Sequence, residues 1–391
     1  MRFKRAFVIV CDSLGIGHGK DAKDYNDEGS NTLKHIDDQM KLNIPQLRSL
    51  GIGEICDIFK IKTPLDHAYA LALNEVSLGK DTLTGHYELM GLKVSEPFKT
   101  FTDTGFPSEL IQELEKKWGR KIIGNVSASG TKIIQELGEQ HMRSGDVIVY
   151  TSSDSVLQVA AHEDVISVDE LYKMCEIARE ITKSDKYKLG RIIARPFVGT
   201  CANDFKRTPK RHDYALKPFA KTLLNYLKEA NYDVLAIGKI NDIFVGEGIT
   251  SSTKIINNQD GCEKILEAMK SDFCGLCFAN LVDFDMEYGH RRDVIGYGKA
   301  IEDFDQYVLK FKELLKDDDV LMICADHGND PTWKGTDHTR EKVPLLIYSP
   351  SFKESGILKD GDSFADLQAT LAENFNVPST GLGKSILKDL K

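Results

Sequence analysis

Short apolar runs bounded by polar residues recur along the chain, and they predict buried strands. The first covers residues 5–11, and the others are 121–126, 146–151, 191–198, 233–237, 273–282, 321–325 and 343–348. Continuous apolar runs of this length are typical of strands that are covered on both faces, as in parallel sheets. The chain is therefore expected to contain a mainly parallel sheet.

Between these runs, apolar residues recur with the spacing of one helix face. The predicted helices cover residues 108–118, 131–137, 168–183, 217–230, 262–270, 294–315 and 364–375, with a short one after Asp81. Strands and helices alternate up to about residue 99 and again from 216, which is typical of α/β folds. We predict an α/β core of residues 1–99 and 216–391, with helices flanking a predominantly parallel sheet. Residues 100–215 are predicted to be an inserted α+β cap domain.

Composition excludes several classes of partner. The 391 residues carry a net charge of −9 with scattered basic residues, which argues against nucleic acid or an anionic membrane surface. No apolar run approaches the length of a membrane span, and the run at 6–11 is too short for a signal peptide. We expect a cytoplasmic protein without an obligate protein partner. Its eight cysteines are expected to be mostly buried apolar residues.

Acidic and histidine residues stand where the predicted strands end. Asp12 follows the first strand, Asp326 and His327 follow the strand that begins at Leu321, and Asp285 and His290 follow the strand at 273–282. His338 lies on a later loop. Single Asp-His pairs of this kind are compatible with ordinary turns, but six such residues at strand ends or on an adjoining loop favour divalent metal ligation. Four to six ligands suit two ions, an arrangement that stabilises in-line phosphoryl transfer.

A threonine-containing stretch, Asp81-Thr82-Leu83-Thr84-Gly85-His86, opens the short predicted helix. A hydroxyl at a helix start commonly caps the helix. The alternative is a nucleophile whose phosphoryl acceptor lies over the helix N-terminus. The stretch alone leaves both interpretations open, with the cap as the simpler one.

Together these motifs resemble the alkaline phosphatase superfamily, and within it the bacterial phosphopentomutase family. The similarity runs along the whole chain and is carried by Asp12-Ser13-Leu14-Gly15-Ile16-Gly17, Asp81-Thr82-Leu83-Thr84-Gly85-His86, Asp285-x-x-x-x-His290, Asp326-His327-Gly328, Thr336-Asp337-His338-Thr339 and Arg195-Pro196-Phe197. The resemblance implies an alkaline-phosphatase-like core with an inserted cap. It also implies an isomerase that interconverts ribose or 2-deoxyribose 1-phosphate and the 5-phosphate, with a sugar bisphosphate as activator.

The resemblance further implies a role for individual residues. One Mn²⁺ would be held by Asp285, His290 and His338, and the other by Asp12, Asp326 and His327 together with Thr84. Thr84 would carry the phosphoryl group as phosphothreonine, with Thr82 as the alternative nucleophile. The implied substrate contacts are Asp154, Arg191, Ile193, Arg207 and Lys239.

Other functions share parts of this pattern. A metal-dependent phosphomonoesterase would use the same ligands but must admit water to the phosphoenzyme, whereas a mutase must exclude it. A cofactor-independent phosphoglycerate mutase would carry a serine nucleophile, and a sulfatase a cysteine or serine. A metal-binding scaffold without activity would have no use for a hydroxyl residue beside the ligands.

Overall fold

The computed structural model describes residues 1–56, 58–59, 62–152 and 155–391. The chain divides into two compact units, a core unit of Met1–Pro97 with Pro218–Lys391 and an inserted unit of Phe98–Lys217. These limits lie two residues from the predicted boundaries. Whether the inserted unit is an autonomous domain stays a prediction. Asp154, a predicted substrate contact, lies outside the described residues.

The strands, in chain order, are β1 (Arg5–Cys11), β2 (Ala68–Leu73), β3 (Ile122–Ser127), β4 (Val147–Thr151), β5 (Val156–His162), β6 (Arg191–Val198), β7 (Lys206–Arg207), β8 (His212–Ala215), β9 (Asp233–Ile237), β10 (Ser251–Thr253), β11 (Gly275–Leu281), β12 (Asp319–Cys324), β13 (Val343–Tyr348) and β14 (Gly356–Ile357). The helices are α1 (Thr32–Met40), α2 (Pro45–Ser49), α3 (Ile52–Cys56), α4 (Thr82–Leu89), α5 (Ser108–Trp118), α6 (Gly130–Ser144), α7 (Val168–Thr182), α8 (Leu223–Glu229), α9 (Ile240–Ile243), α10 (Asn258–Lys270), α11 (Val294–Leu314) and α12 (Asp366–Phe375). A 3₁₀ helix covers Ala22–Tyr25, and a π-helix covers Phe284–Gly289.

The core unit is built on one sheet in the order β10-β9-β11-β1-β12-β13-β2-β14. Strands β10, β9, β11, β1 and β12 are parallel neighbours, while β13 pairs antiparallel with both β12 and β2. Strands β1, β11, β12 and β13 are buried along their whole length. The central strands therefore end together at one edge of the sheet, and ligand sites in such sheets lie outside the carboxyl ends of the strands.

The inserted unit has its own mixed sheet, β3-β4-β5-β6-β7, with β8 paired to β6. Apolar residues of α5 and α7 pack on one face of this sheet, and α6 contributes to a second cluster with Phe197 and Phe205. An apolar core inside the unit is what a separately folding domain requires.

Several predicted elements have the observed bounds, among them β1, β6, β9, β13 and α5. The helix predicted at 217–230 is shorter in the structure, because Thr222 and Asn225 form a capping box that starts α8 at Leu223. His162 is the last residue of β5, and its side chain is buried and donates through Nε2 to the Gly199 carbonyl at 2.8 Å.

None of the helices in the described parts of the chain has the length and apolarity that a membrane crossing requires.

Candidate active site

The sheet brings the predicted ligands to one edge. Strand β1 lies between β11 and β12, with Cys11 beside Leu281 and Val10 beside Cys324. Asp12, Asp326 and the π-helix that carries Asp285 follow these strand ends directly. The parallel order of three strands thus gathers five of the six predicted ligands, and His338 joins them from the loop between β12 and β13.

A first group of possible metal ligands contains Asp12, Asp326 and His327, whose ligand atoms all lie within 4.8 Å of one another. His327 Nε2 is 3.5 Å from Asp12 Oδ1 and 3.3 Å from Asp326 Oδ2. His327 Nδ1 donates to the Gly328 carbonyl at 3.1 Å. Because Nδ1 carries the proton, the Nε2 lone pair is directed at the carboxylates, as a metal ligand requires.

A second group contains Asp285, His327 and His338, so His327 belongs to both. His338 Nε2 lies 3.4 Å from Asp285 Oδ1, and the rings of His327 and His338 stack with centroids 3.9 Å apart. His290 joins this group, with Nε2 3.1 Å from both Asp285 Oδ2 and His338 Nε2. Its Nδ1 donates to the Thr336 carbonyl at 2.7 Å, which again leaves Nε2 as the ligand atom.

The two groups fit divalent cations on electrostatic grounds. Burial raises the pKa of Asp12 well above its usual value, and the charges of Asp326 and Asp285 add to the rise. Asp12 Oδ1 is fully buried and has no hydrogen-bond partner among the described residues. A buried carboxylate oxygen in this position is costly unless a cation neutralises it. The oxygen and imidazole donors match the preferences of Mn²⁺ and Zn²⁺.

Two histidines beside Asp285 lower the pKa of its carboxyl group. Burial opposes ionisation of this carboxyl group, but its electrostatic and hydrogen-bond interactions with the adjacent His338 and His290 outweigh that effect and hold its pKa well below the usual value. Asn329 Nδ2 also donates to Asp285 Oδ1 at 2.7 Å. Asp285 is therefore held as a carboxylate, the form that binds metal.

Helix α4 begins at the same edge of the sheet, and its cap is Asp81 rather than a threonine. Asp81 Oδ1 accepts from the backbone N–H groups of Leu83 and Thr84 at 3.1 and 3.2 Å. The interpretation of a threonine hydroxyl as the cap is therefore wrong. These two amides are engaged by the cap, so they are not free to receive a phosphoryl group.

The two threonines of α4 have different surroundings. The Thr84 hydroxyl, predicted as the nucleophile, is fully buried and donates to Asp81 Oδ2 at 2.6 Å. The Thr82 hydroxyl is instead 3.3 Å from Nε2 of His327, the residue that both ligand groups share. Thr82 is the first helical residue and Thr84 the third, so their side chains leave different faces of the helix.

Gly85 allows α4 to approach the metal groups. A Cβ atom at this position would lie 1.9 Å from the backbone oxygen of Asp326. Any larger residue would therefore displace the helix from the strand end. The close contact of helix and strand end sets the distance between Thr82 and the ligands.

Comparison with known proteins assigns this arrangement to a family. Residues 4–379 match the metalloenzyme superfamily. The chain is 53% identical to the phosphopentomutase of Clostridium beijerinckii over 395 residues, which covers 100% of this chain and 99% of that protein. The identity to the phosphopentomutase of Clostridium tetani is also 53%, over 396 residues with the same coverage.

The chain belongs to the phosphopentomutase family. This confirms the predicted family and its α/β fold class. As a phosphopentomutase family member, the chain is an enzyme and an isomerase. Membership of a metalloenzyme superfamily, together with the two ligand groups, also indicates dependence on divalent metal.

In this phosphopentomutase family member, the predicted substrate contacts are divided between the two units. Lys239 follows β9 in the core unit, and its charge acts on the Asp12 carboxylate to lower that pKa. In the inserted unit, Arg191 and Ile193 lie on β6, and Arg207 lies on β7. Arg191 Nη1 is 3.9 Å from Asp213 Oδ2, and Ile193 is buried. Their role as substrate contacts stays a prediction.

Sequence reasoning missed the residues that hold the ligands in place. Asn280 Nδ2 donates to Asp12 Oδ2 at 2.9 Å, and His86 Nδ1 lies 3.1 Å from Asp326 Oδ2. His86 was part of the quoted motif but was given no role. Asn280 carried one available signal, since it is a polar residue within an apolar strand run.

Proposed function

We propose that the chain interconverts ribose 1-phosphate, or 2-deoxyribose 1-phosphate, and the corresponding 5-phosphate. The reaction would pass through a phosphothreonine and a sugar bisphosphate. The observation that carries this proposal is the 3.3 Å distance between the Thr82 hydroxyl and His327 Nε2, at the junction of two ligand groups. The names of the 53% identical relatives support the same reaction.

Thr82, rather than Thr84, is proposed to carry the phosphoryl group. Thr82 is only half-buried and faces the ligand groups, whereas Thr84 is enclosed and its hydroxyl is committed to Asp81. In the first step a sugar hydroxyl attacks phosphothreonine, the bond between phosphorus and the Thr82 oxygen breaks, and a bisphosphate forms. In the second step Thr82 takes the other phosphoryl group from the bisphosphate, which returns the enzyme to its starting form.

Two divalent ions, proposed to be Mn²⁺, would be held by Asp285, His290 and His338 and by Asp12, Asp326 and His327. When bound, such ions supply charge stabilisation to the transferring phosphoryl group and lower the pKa of an adjacent hydroxyl. The protein's part is positioning, as in phosphoryl transfer generally. Asp81 and Gly85 fix the start of α4. In the preceding loop, Lys80 Nζ donates a hydrogen bond to Asp27 Oδ2 at 3.0 Å, which holds the loop in place.

The inserted unit contains a cationic cluster that suits a phosphate group. Burial raises the pKa of Tyr150, and the charges of Arg195, Arg207 and Arg211 oppose that rise. The Tyr150 hydroxyl is buried and has no partner among the residues described. Arginine is the usual choice for bidentate phosphate binding. These features support Arg207 as a contact to a substrate phosphate, and Arg191, Ile193 and Lys239 remain proposed contacts.

We further propose that a sugar bisphosphate activates the enzyme by phosphorylating Thr82. Small pentose phosphates would be the only partners that function requires. A cytoplasmic location fits a substrate class of charged metabolites, and the net charge of −9 gives no support for nucleic acid binding.

The test is a product assay. The Mn²⁺-loaded protein is incubated with ribose 1-phosphate and a trace of bisphosphate, and both ribose 5-phosphate and free phosphate are followed. The proposal predicts ribose 5-phosphate without free phosphate. Stoichiometric release of phosphate would identify a phosphomonoesterase instead. Turnover of 3-phosphoglycerate at a higher rate than ribose 1-phosphate would favour the phosphoglycerate mutase alternative.

A further inference from the structure

His86 occupies a fully buried position between the nucleophile helix and the metal ligands. Its Nδ1 lies 2.9 Å from the carbonyl oxygen of Thr82 and 3.1 Å from Asp326 Oδ2. Its Nε2 lies 3.4 Å from Nδ2 of Asn280. One imidazole ring therefore contacts the backbone of the proposed nucleophile, a predicted metal ligand and a strand residue.

These neighbours determine which nitrogen carries the proton. Nδ1 faces two acceptors, a carbonyl and a carboxylate, so it must be the donor. Nε2 faces the amide nitrogen of Asn280, which can only donate, so Nε2 is the acceptor. His86 is thus oriented with its Nδ1–H donated to the Thr82 carbonyl, and Asp326 Oδ2 lies 3.1 Å from the same nitrogen.

Asn280 extends the path to the other carboxylate of the first ligand group. It lies on β11 beside Val10 of β1, and its Nδ2 donates to Asp12 Oδ2 at 2.9 Å. An amide nitrogen has two hydrogens, so Asn280 can serve Asp12 and His86 together. A continuous chain of polar contacts then joins Asp12, Asn280, His86, Asp326 and the Thr82 carbonyl.

We infer that His86 and Asn280 are positioning residues that hold the first metal-ligand group and the Thr82 backbone in one fixed arrangement. The inference rests on the proposed function of Thr82 and the ligands. Residues that orient metal ligands through hydrogen bonds change metal affinity when they are replaced. His86 and Asn280 touch neither substrate nor metal in this account, and they act through Asp12, Asp326 and Thr82.

A purely structural role would rest on packing. The rings of His86 and Phe278, which lies on β11, have centroids 6.0 Å apart. If packing were the whole role, replacement by an apolar ring would be tolerated. If the polar contacts matter, the same replacement changes metal binding although the volume is kept.

The test measures Mn²⁺ affinity by calorimetric titration of metal-stripped protein, without substrate. His86→Phe and Asn280→Leu are each expected to weaken binding at one site by about 10- to 100-fold. The double variant is expected to bind about as weakly as either single variant, because both changes break the same chain of contacts. Phe278→Leu is the matched control, since it disturbs packing against the same ring and keeps the polar contacts.

Circular dichroism shows whether each variant is folded. Folded His86→Phe with wild-type Mn²⁺ affinity would overturn the inference, as would additive losses in the double variant or an equal loss in Phe278→Leu. Should His86→Phe fail to fold, Asn280→Leu alone decides between the two roles. Wild-type protein that binds two ions but makes no pentose phosphate would count against the proposed function only, because the titration needs no substrate.

Discussion

Arg340 shows how single side chains stabilise the surroundings of the active site. Its guanidinium is almost fully buried and pairs with Asp21 at 2.9 Å and with Glu75. It also donates to the carbonyl of Ser77 at 2.9 Å, in the loop that leads to α4. One cation therefore joins the loop before the nucleophile helix to the segment that carries His338.

Replacement of this cation should be severe. Arg340→Met leaves Glu75, whose side chain is 2% exposed, as an uncompensated buried charge. Loss of one partner of a buried ion pair costs about 3–5 kcal/mol in the free energy of unfolding. The neighbouring Lys342→Met is the control, because its pair with Asp360 is partly exposed and worth about 0–1 kcal/mol. Urea unfolding that gives equal values for the two variants would contradict this role for Arg340.

At the scale of elements, helix α4 marks the limit of what the sequence could predict. A polar stretch followed by apolar residues was enough to place a short helix after Asp81. Which threonine faces the metals depends on the residue that caps the helix, and Asp81, Thr82 and Thr84 are all suitable caps by type. A shift of one or two positions rotates every side chain of the helix, so the nucleophile could not be chosen from the pattern alone.

Strands were predicted unevenly for a similar reason. Strand β1 is a continuous run of large apolar residues, whereas β2 (Ala68–Leu73) is rich in alanine, which favours helices as much as strands. Strand β5 contains Gln158 and follows closely after β4, and it was not predicted. Short edge strands such as β7 have no apolar pattern at all, because their residues are exposed.

The contact between α4 and the end of β12 gives a prediction at this scale. Alanine is a better helix former than glycine by about 1 kcal/mol, so Gly85→Ala would stabilise an isolated helix. In the protein, its Cβ would meet the Asp326 oxygen at 1.9 Å and force the helix away. We expect loss of nearly all activity and a lower melting temperature. Gly356→Ala, with ordinary contacts of 3.6 Å, is the control, and equal activity of the two variants would contradict the prediction.

At the scale of the whole molecule, the chain folds into two units, and the inserted unit of Phe98–Lys217 interrupts the sequence of the core unit. We predict that limited proteolysis cuts first near 98–104 and 210–216, because these segments lie beside the boundaries of the inserted unit at Phe98 and Lys217. The long helix α11 should resist, since its inner face is buried in the core unit. Mass spectrometry of the first fragments is the measurement, and early cleavage near residue 300 would contradict the predicted domain organisation.

Protonation of His141 at acidic pH should lower the free energy of unfolding of the inserted unit. Burial lowers the pKa of His141 below its usual value of 6.5, and its Nε2 accepts from the backbone N–H of His162 at 2.8 Å. The unfolded chain therefore binds a proton more readily, so the stabilising contribution is present above pH 6.5 and is lost as the pH falls below it.

Trp118 fluorescence can follow this effect in a Trp333→Phe background, because Trp118 lies in the inserted unit. Between pH 7.5 and 5.5, the free energy of unfolding should fall further for the parent than for His141→Gln, which cannot titrate. Identical falls in the two proteins would show that His141 does not contribute.

The position of the phosphoryl group on the protein tests the central claim most directly. The Mn²⁺-loaded protein is mixed with a pentose 1,5-bisphosphate, quenched in acid and digested with trypsin. The peptide of residues 81–93 contains both Thr82 and Thr84, and fragmentation by mass spectrometry separates them. We predict phosphate on Thr82, retained in Thr84→Val and absent from Thr82→Val. Phosphate on Thr84, or on neither residue during full turnover, would contradict the account.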